Sequence, residues 1–238
     1  MASTTSNSAY WEGFRDGMPF VLVIIPFAML FGVVATEAGL SVFETLMFSL
    51  VVIAGAAQFT ALQLLQENAP TVIVLISALA VNLRMAMYSA SLTAHLGAAP
   101  LWKRATVAYL IVDQSYACSI AAFERHTDWG LEQKLGYFFG TCTPVIPLWY
   151  LGSVLGALIG GAIPQEFGLD FAVPITFLAL IAPMLRTLAH VAAAVASVLL
   201  ALAFAGLPYN LGLLVAGMGG MMAGAYAELV LTRRGVQI

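Results

Sequence analysis

Thr71-Val-Ile-Val-Leu-Ile-Ser-Ala-Leu-Ala-Val-Asn-Leu-Arg84-Met-Ala-Met-Tyr88-Ser-Ala-Ser-Leu-Thr-Ala-His95-Leu-Gly97 carries a single Lys, Arg, Asp or Glu, Arg84, near its centre. A helix needs roughly 20 mostly apolar residues to cross the hydrocarbon core, so the stretch is long enough. Its surroundings agree. The chain has 238 residues, 61% hydrophobic and only 9% charged, where a soluble domain has about 45–50% and about 25%. Too little charge remains to build a water-facing surface. The predicted fold is all-α, a polytopic transmembrane helical bundle with some broken helices. A net charge of −3 provides no basic field for nucleic acid.

Working outward from 71–97, the same window finds about eight membrane segments, at 18–38, 41–66, 71–97, 103–123, 135–162, 169–186, 188–205 and 209–230. They form one transmembrane domain over 1–238, with 1–17 as a cytoplasmic N-terminal segment and 231–238 as a cytoplasmic tail. The polar start, Met1 to Ser8, lacks the basic run of a signal peptide, so the first apolar segment is expected to stay as an anchor. With eight crossings and both ends inside, Arg15, Arg125, Lys134, Arg186, Arg233 and Arg234 are cytoplasmic. Lys103 and Arg104 then fall outside, against the trend. No internal repeat is visible.

Polar groups inside these segments are the functional candidates. A central Arg costs about 2.5–3.5 kcal/mol even on the lenient insertion scale. Arg84, Tyr88, Ser91 and His95 share one helix face, which should look into protein or a wet cavity. Asp113, midway along 103–123, is the natural partner of Arg84, and the two are the only formal charges placed at mid-membrane. Tyr109 and Tyr116 lie on the face of Asp113, and Gln114 and Ser115 add polarity beside it. A fixed salt bridge and an ion-coupling carboxylate are both compatible with this pattern. In the coupling case, a substrate carboxylate that draws Arg84 away leaves Asp113 to bind a proton.

Gln58 lies in Gly55-Ala-Ala-Gln-Phe59, where small residues permit close helix approach and the amide offers donors and an acceptor. Segment 135–162 contains Thr141-Cys-Thr-Pro144-Val-Ile-Pro147. The two prolines free the carbonyls of Gly140 and Thr143 and predict a helix break there. Gly152, Gly156 and Gly160, and likewise Gly220 and Gly224, mark close-packed surfaces, within the chain or in a higher oligomer. Cys118 and Cys142 have no metal or redox spacing and are expected to be buried thiols. No HExxH, GxSxG, Walker A or metal-ligand pattern occurs, so neither an enzyme nor a cofactor is expected.

Gly55-Ala-Ala-Gln-Phe59, Asn82-Leu-Arg84 followed by Tyr88-Ser89, and Asp113-Gln-Ser-Tyr116 resemble, in order and spacing, the marks of the AzlC family. The resemblance extends from Phe14-Arg-Asp-Gly-Met-Pro19 to the Gly-rich last span. It implies the large subunit of a branched-chain amino acid exporter in a bacterial cytoplasmic membrane. Such a protein works with a small AzlD-like membrane subunit and is driven by an ion gradient. In this reading Arg84 receives the substrate carboxylate and the carbonyls of Gly140 and Thr143 the ammonium. Gln58 and Asn82 orient the substrate, and Phe59 meets its side chain. Tyr88, Gln114 and Tyr116 line the path, with Asp113 as the coupling group. The alternative is a passive channel in which the same groups line a conduit.

Overall fold

The computed structural model describes residues 6–160, 185, 187–208 and 211–233. Among these, every regular element is a helix: α1 Ser6–Gly17, α2 Val21–Glu37, α3 Val42–Val51, α4 Gly55–Gln66, α5 Thr71–Leu96, α6 Leu101–Leu110, α7 Asp113–Arg125, α8 Leu131–Gly160, α9 Leu188–Ala203 and α10 Leu211–Arg233. A 3-10 turn, Met18–Phe20, joins α1 to α2. Four stretches are long and apolar enough to cross a membrane: Ser6–Glu37, Thr71–Leu96, Leu131–Gly160 and Leu211–Arg233. The expected segment 169–186 lies outside the described residues, apart from Leu185. The chain divides into two compact units, Met1–Leu62 with Val81–Pro164, and Gln63–Ala80 with Gln165–Ile238.

In the first unit α1 and α2 run parallel to α8 along its whole length. The contact is backbone on backbone. A Cβ on Gly140 would lie 2.1 Å from the Tyr10 carbonyl oxygen, and one on Gly156 would lie 2.0 Å from that of Met29. Gly152 faces Ala28 and Gly160 faces Thr36, so this glycine series serves packing within the chain. α8 passes through Pro144 and Pro147 without interruption. The break expected there is absent. The hydroxyl of Thr141 donates to the Phe138 carbonyl, and that of Thr143 to the Phe139 carbonyl, supplying polar partners around the prolines.

The interruptions fall elsewhere, at 52–54 and 111–112. Each separates two helices of 10–13 residues, about 15–20 Å long and too short to cross a core of about 30 Å. Contacts give their directions. Phe31 of α2 meets Phe48 of α3 and Phe59 of α4 at 5.8 and 5.7 Å, while Gln58 Nε2 reaches back to Ser49 Oγ at 3.3 Å. The chain therefore turns back at 52–54, with α3 and α4 both lying against α2. Likewise α6 climbs α8, with Lys103 Nζ on Glu132 at 2.7 Å and Cys142 Sγ on the Leu110 carbonyl at 3.6 Å. α7 descends again, bringing Phe123 to 6.3 Å from Tyr137, and the loop that follows sets Trp129 at 5.6 Å.

Segments 41–66 and 103–123 are thus re-entrant hairpins that enter from opposite ends of the unit. Their tips meet: Tyr109 Oη donates to the Leu50 carbonyl and lies 3.1 Å from Tyr150 Oη. This corrects the sequence-based sidedness. Lys103 lies on the same end as Arg125 and Lys134, the end where α8 begins, and Arg104 reaches the Gly97 carbonyl there.

In the second unit α9 and α10 are antiparallel. Gly220 packs on Ser197, Gly224 on Ala193 and Gly212 on Phe204, a seam of small residues.

Candidate functional site

Each hairpin places the N-terminus of its second half-helix, α4 or α7, at its tip inside the unit. Asp113 is the first residue of α7, where the helix dipole favours a negative charge by about 0.3–1 kcal/mol. Ser115 Oγ accepts from the Val112 N–H at 2.9 Å and fixes the turn. Arg84 Nη2 stands 3.2 Å from Asp113 Oδ2, and Tyr88 Oη donates to Oδ1 at 2.9 Å. The Tyr88 and Tyr116 rings stack at 4.1 Å, and Tyr116 Oη donates to Ser91 Oγ at 3.1 Å. His95 meets the Phe123 ring at 5.2 Å. All four residues of the predicted α5 stripe therefore turn toward α7. The pair is not sealed: the Arg84 and Asp113 side chains keep 35% and 41% of their exposure.

Three predicted residues hold buried polar atoms with no hydrogen-bond partner: Gln58 Oε1, Asn82 Oδ1 and Arg84 Nε. Leaving such an atom unpaired costs about 1–3 kcal/mol, so each has capacity for a further polar partner. Gln58 is fully buried and tied through Ser49 to Ser153 on α8. Gln58 thus belongs to the tip of the first hairpin, next to Leu50, and Arg84 meets the tip of the second through Asp113. Phe59 is buried and meets Phe27 and Phe31, which in turn meet Trp149, whose Nε1 is also unpartnered. Gln114 sits half-buried in the first turn of α7.

Gly140 and Thr143 lie elsewhere. Gly140 is closed against α1, and Thr143 Oγ1 accepts from Tyr10 Oη at 2.9 Å. They belong to the α1–α8 seam. Sequence reasoning did not single out Trp149, Tyr150 or the Ser49–Ser153 bridge. A mid-segment Trp and Ser in 135–162 were the available signals.

The AzlC protein family model matches residues 19–163, more than half of the chain. The chain belongs to the AzlC family. The matched part of this AzlC chain takes in both hairpins, Arg84 and Asp113. The chain is 28% identical to the inner membrane protein YgaZ of Escherichia coli (strain K12) over 179 residues, 72% of this chain and 71% of YgaZ. It is 29% identical over 208 residues to an uncharacterized membrane protein of Archaeoglobus fulgidus, 86% of this chain and 88% of that one. A membrane protein of Helicobacter pylori (strain 26695) is 26% identical over 176 residues, 72% of this chain and 75% of the relative. No solved structure matches. This AzlC chain is a membrane-embedded helical protein.

Proposed function

We propose that this AzlC chain is the large subunit of a proton-driven secondary exporter of branched-chain or other small hydrophobic amino acids. It would act in a bacterial cytoplasmic membrane together with a small AzlD-like subunit. The observation that carries the reading is the Arg84–Asp113 pair, a positive and a negative group 3.2 Å apart where α5 meets the tip of the second hairpin. A zwitterionic amino acid presents the complementary pair. Its carboxylate takes Arg84, whose Nε awaits an acceptor, and its ammonium takes Asp113, while Gln58 and Asn82, each with an unpartnered oxygen, help to orient the substrate. The aromatic wall of Phe59, Phe27 and Trp149 suits an aliphatic side chain.

Placing the ammonium on Asp113 rather than on the α8 carbonyls also fixes the sense of coupling. A proton and an ammonium compete for one carboxylate, so inward protons displace outward substrate. Arg15, Lys103, Arg104, Arg125 and Lys134 gather where α8 begins, and the positive-inside rule supports a cytoplasmic placement of that end.

The test is Asp113→Asn in liposomes. Exchange of labelled leucine should persist, since the Asn oxygen still accepts from an ammonium, while accumulation driven by a proton gradient should vanish. Accumulation at the wild-type level would refute the coupling role. A wild-type protein without saturable counterflow would favour the channel reading.

A further inference from the structure

The helix that presents Asp113 at mid-membrane ends in a second charged cluster, which the proposed transport cycle leaves unused. At the far end of α7, Arg125 Nη2 stands 3.4 Å from Asp16 Oδ2, and His126 Nε2 stands 3.1 Å from Glu12 Oε1. Asp16 Oδ2 also accepts from Tyr137 Oη, whose side chain is fully buried between Phe123 and Trp129. His126 stacks on Trp129 at 4.2 Å. The groups facing Asp16 are Glu12 and Arg15 on its own helix, Arg125 and Cys118 on α7, with Cys118 Sγ 3.8 Å from its carbonyl, and Tyr137 on α8. Asp16 keeps 38% of its side-chain exposure and lines an open cleft with Ser8, Trp11, Glu12 and Arg15. One carboxylate therefore faces solution on one side and a buried phenol on the other.

Between the two carboxylates the buried face of α7 is hydroxylic. Ser115 and Ser119 are both fully buried, and Ser119 Oγ has no hydrogen-bond partner. Ser115 Oγ is spent on the Val112 backbone, but an apolar side chain would be cheaper at 119 if α7 only packed there, because an unpaired buried hydroxyl costs about 1–3 kcal/mol. At about 1.5 Å per residue, Ser119 lies about 9 Å along the axis from Asp113, with the Asp16 cluster beyond it.

We infer that Asp16 is a second proton-carrying group, linked to Asp113 through Tyr137 and a water held on Ser119 along the α1–α7–α8 seam. The inference rests on the reading of Asp113 as the coupling carboxylate. In the transfer, the Asp113 carboxyl loses one proton and the Asp16 carboxylate gains one. Each intervening hydroxyl or water accepts one proton and releases another, so no charge stays on them. Asp16 then releases the proton to bulk water at the end where α8 begins.

The experiment compares Asp113→Asn, Asp16→Asn, Asp16→Glu and Arg125→Gln in liposomes, following labelled leucine and internal pH. Asp16→Asn should keep counterflow but slow proton-coupled accumulation by about 100-fold, and Asp16→Glu should restore most of it. Wild-type accumulation by Asp16→Asn overturns the inference. If Asp16→Asn also loses counterflow, Arg125→Gln decides: it removes the same ion pair but keeps the carboxylate, so retained accumulation supports the inference. Equal loss marks a structural clasp and overturns it. Asp113→Asn in the same assay separates the two claims, since full accumulation there, with loss in Asp16→Asn, sinks the role of Asp113 alone. If the wild type moves no leucine, infrared titration of the carboxyl groups decides. Linked sites require the Asp16 proton uptake to shift in Asp113→Asn, and an unchanged titration overturns the link.

Discussion

Asp113 stands where three influences on a carboxylate meet: the Arg84 guanidinium, the Tyr88 hydroxyl and the first turn of α7. Arg84 in turn has more donors than the pair consumes, since Nε is unpartnered. Its planar fork suits a second carboxylate, which a lysine ammonium would meet only as a point charge. Arg84→Gln should therefore weaken leucine binding by about 1.5–3 kcal/mol, roughly 10- to 150-fold, with Arg84→Lys recovering only part. Equilibrium binding to the purified protein checks this, and unchanged affinity in Arg84→Gln would move the carboxylate site elsewhere. These two residues were visible in the sequence because a charge inside an apolar run has no bland surface explanation. Gln58 was visible for a similar reason. Trp149 was not, because a Trp within an apolar segment matches ordinary core composition.

At the scale of elements, the prolines and glycines of α8 behave in opposite ways. Pro144 and Pro147 sit inside an unbroken helix whose neighbouring carbonyls accept from threonine hydroxyls. The actual interruptions occur in Val52-Ile53-Ala54 and Ile111-Val112, where no Gly or Pro stands. A hydropathy window measures apolar length and is blind to direction, so two doubled-back hairpins resembled two crossings. The glycine spacing, by contrast, was informative. Gly156→Val should force α2 from α8, because the new Cβ meets the Met29 carbonyl at 2.0 Å, and a loss of about 3 kcal/mol or more is expected. Gly217→Ala meets nothing within 4 Å on α10 and should instead gain up to about 1 kcal/mol from helix propensity. Thermal unfolding in detergent gives both. Similar midpoints for the two variants would contradict the backbone contact.

For the whole molecule, re-entry changes sidedness. With α6–α7 returning to the end where α5 finishes, Lys103 joins Arg125 and Lys134, and the basic residues of the first unit's α6–α8 gather at one end. In a variant with Cys118 and Cys142 replaced, a cysteine at 103 should react with a membrane-impermeant thiol reagent only from the cytoplasmic face. One at Glu44, at the start of α3, should react only from the opposite face. Labelling of both from one side would restore the full-crossing topology for one of the hairpins. The bridge from Ser49 to Ser153 spans 104 residues. A nascent chain has completed α3–α4 long before the ribosome supplies the α8 residue that holds its tip. Until then the first hairpin cannot settle in lipid, since its tip amides and the Gln58 side chain would face hydrocarbon. Biogenesis must therefore shelter it in the insertion machinery until Leu131–Gly160 emerges, which makes α8 the step at which the first unit is released into the bilayer.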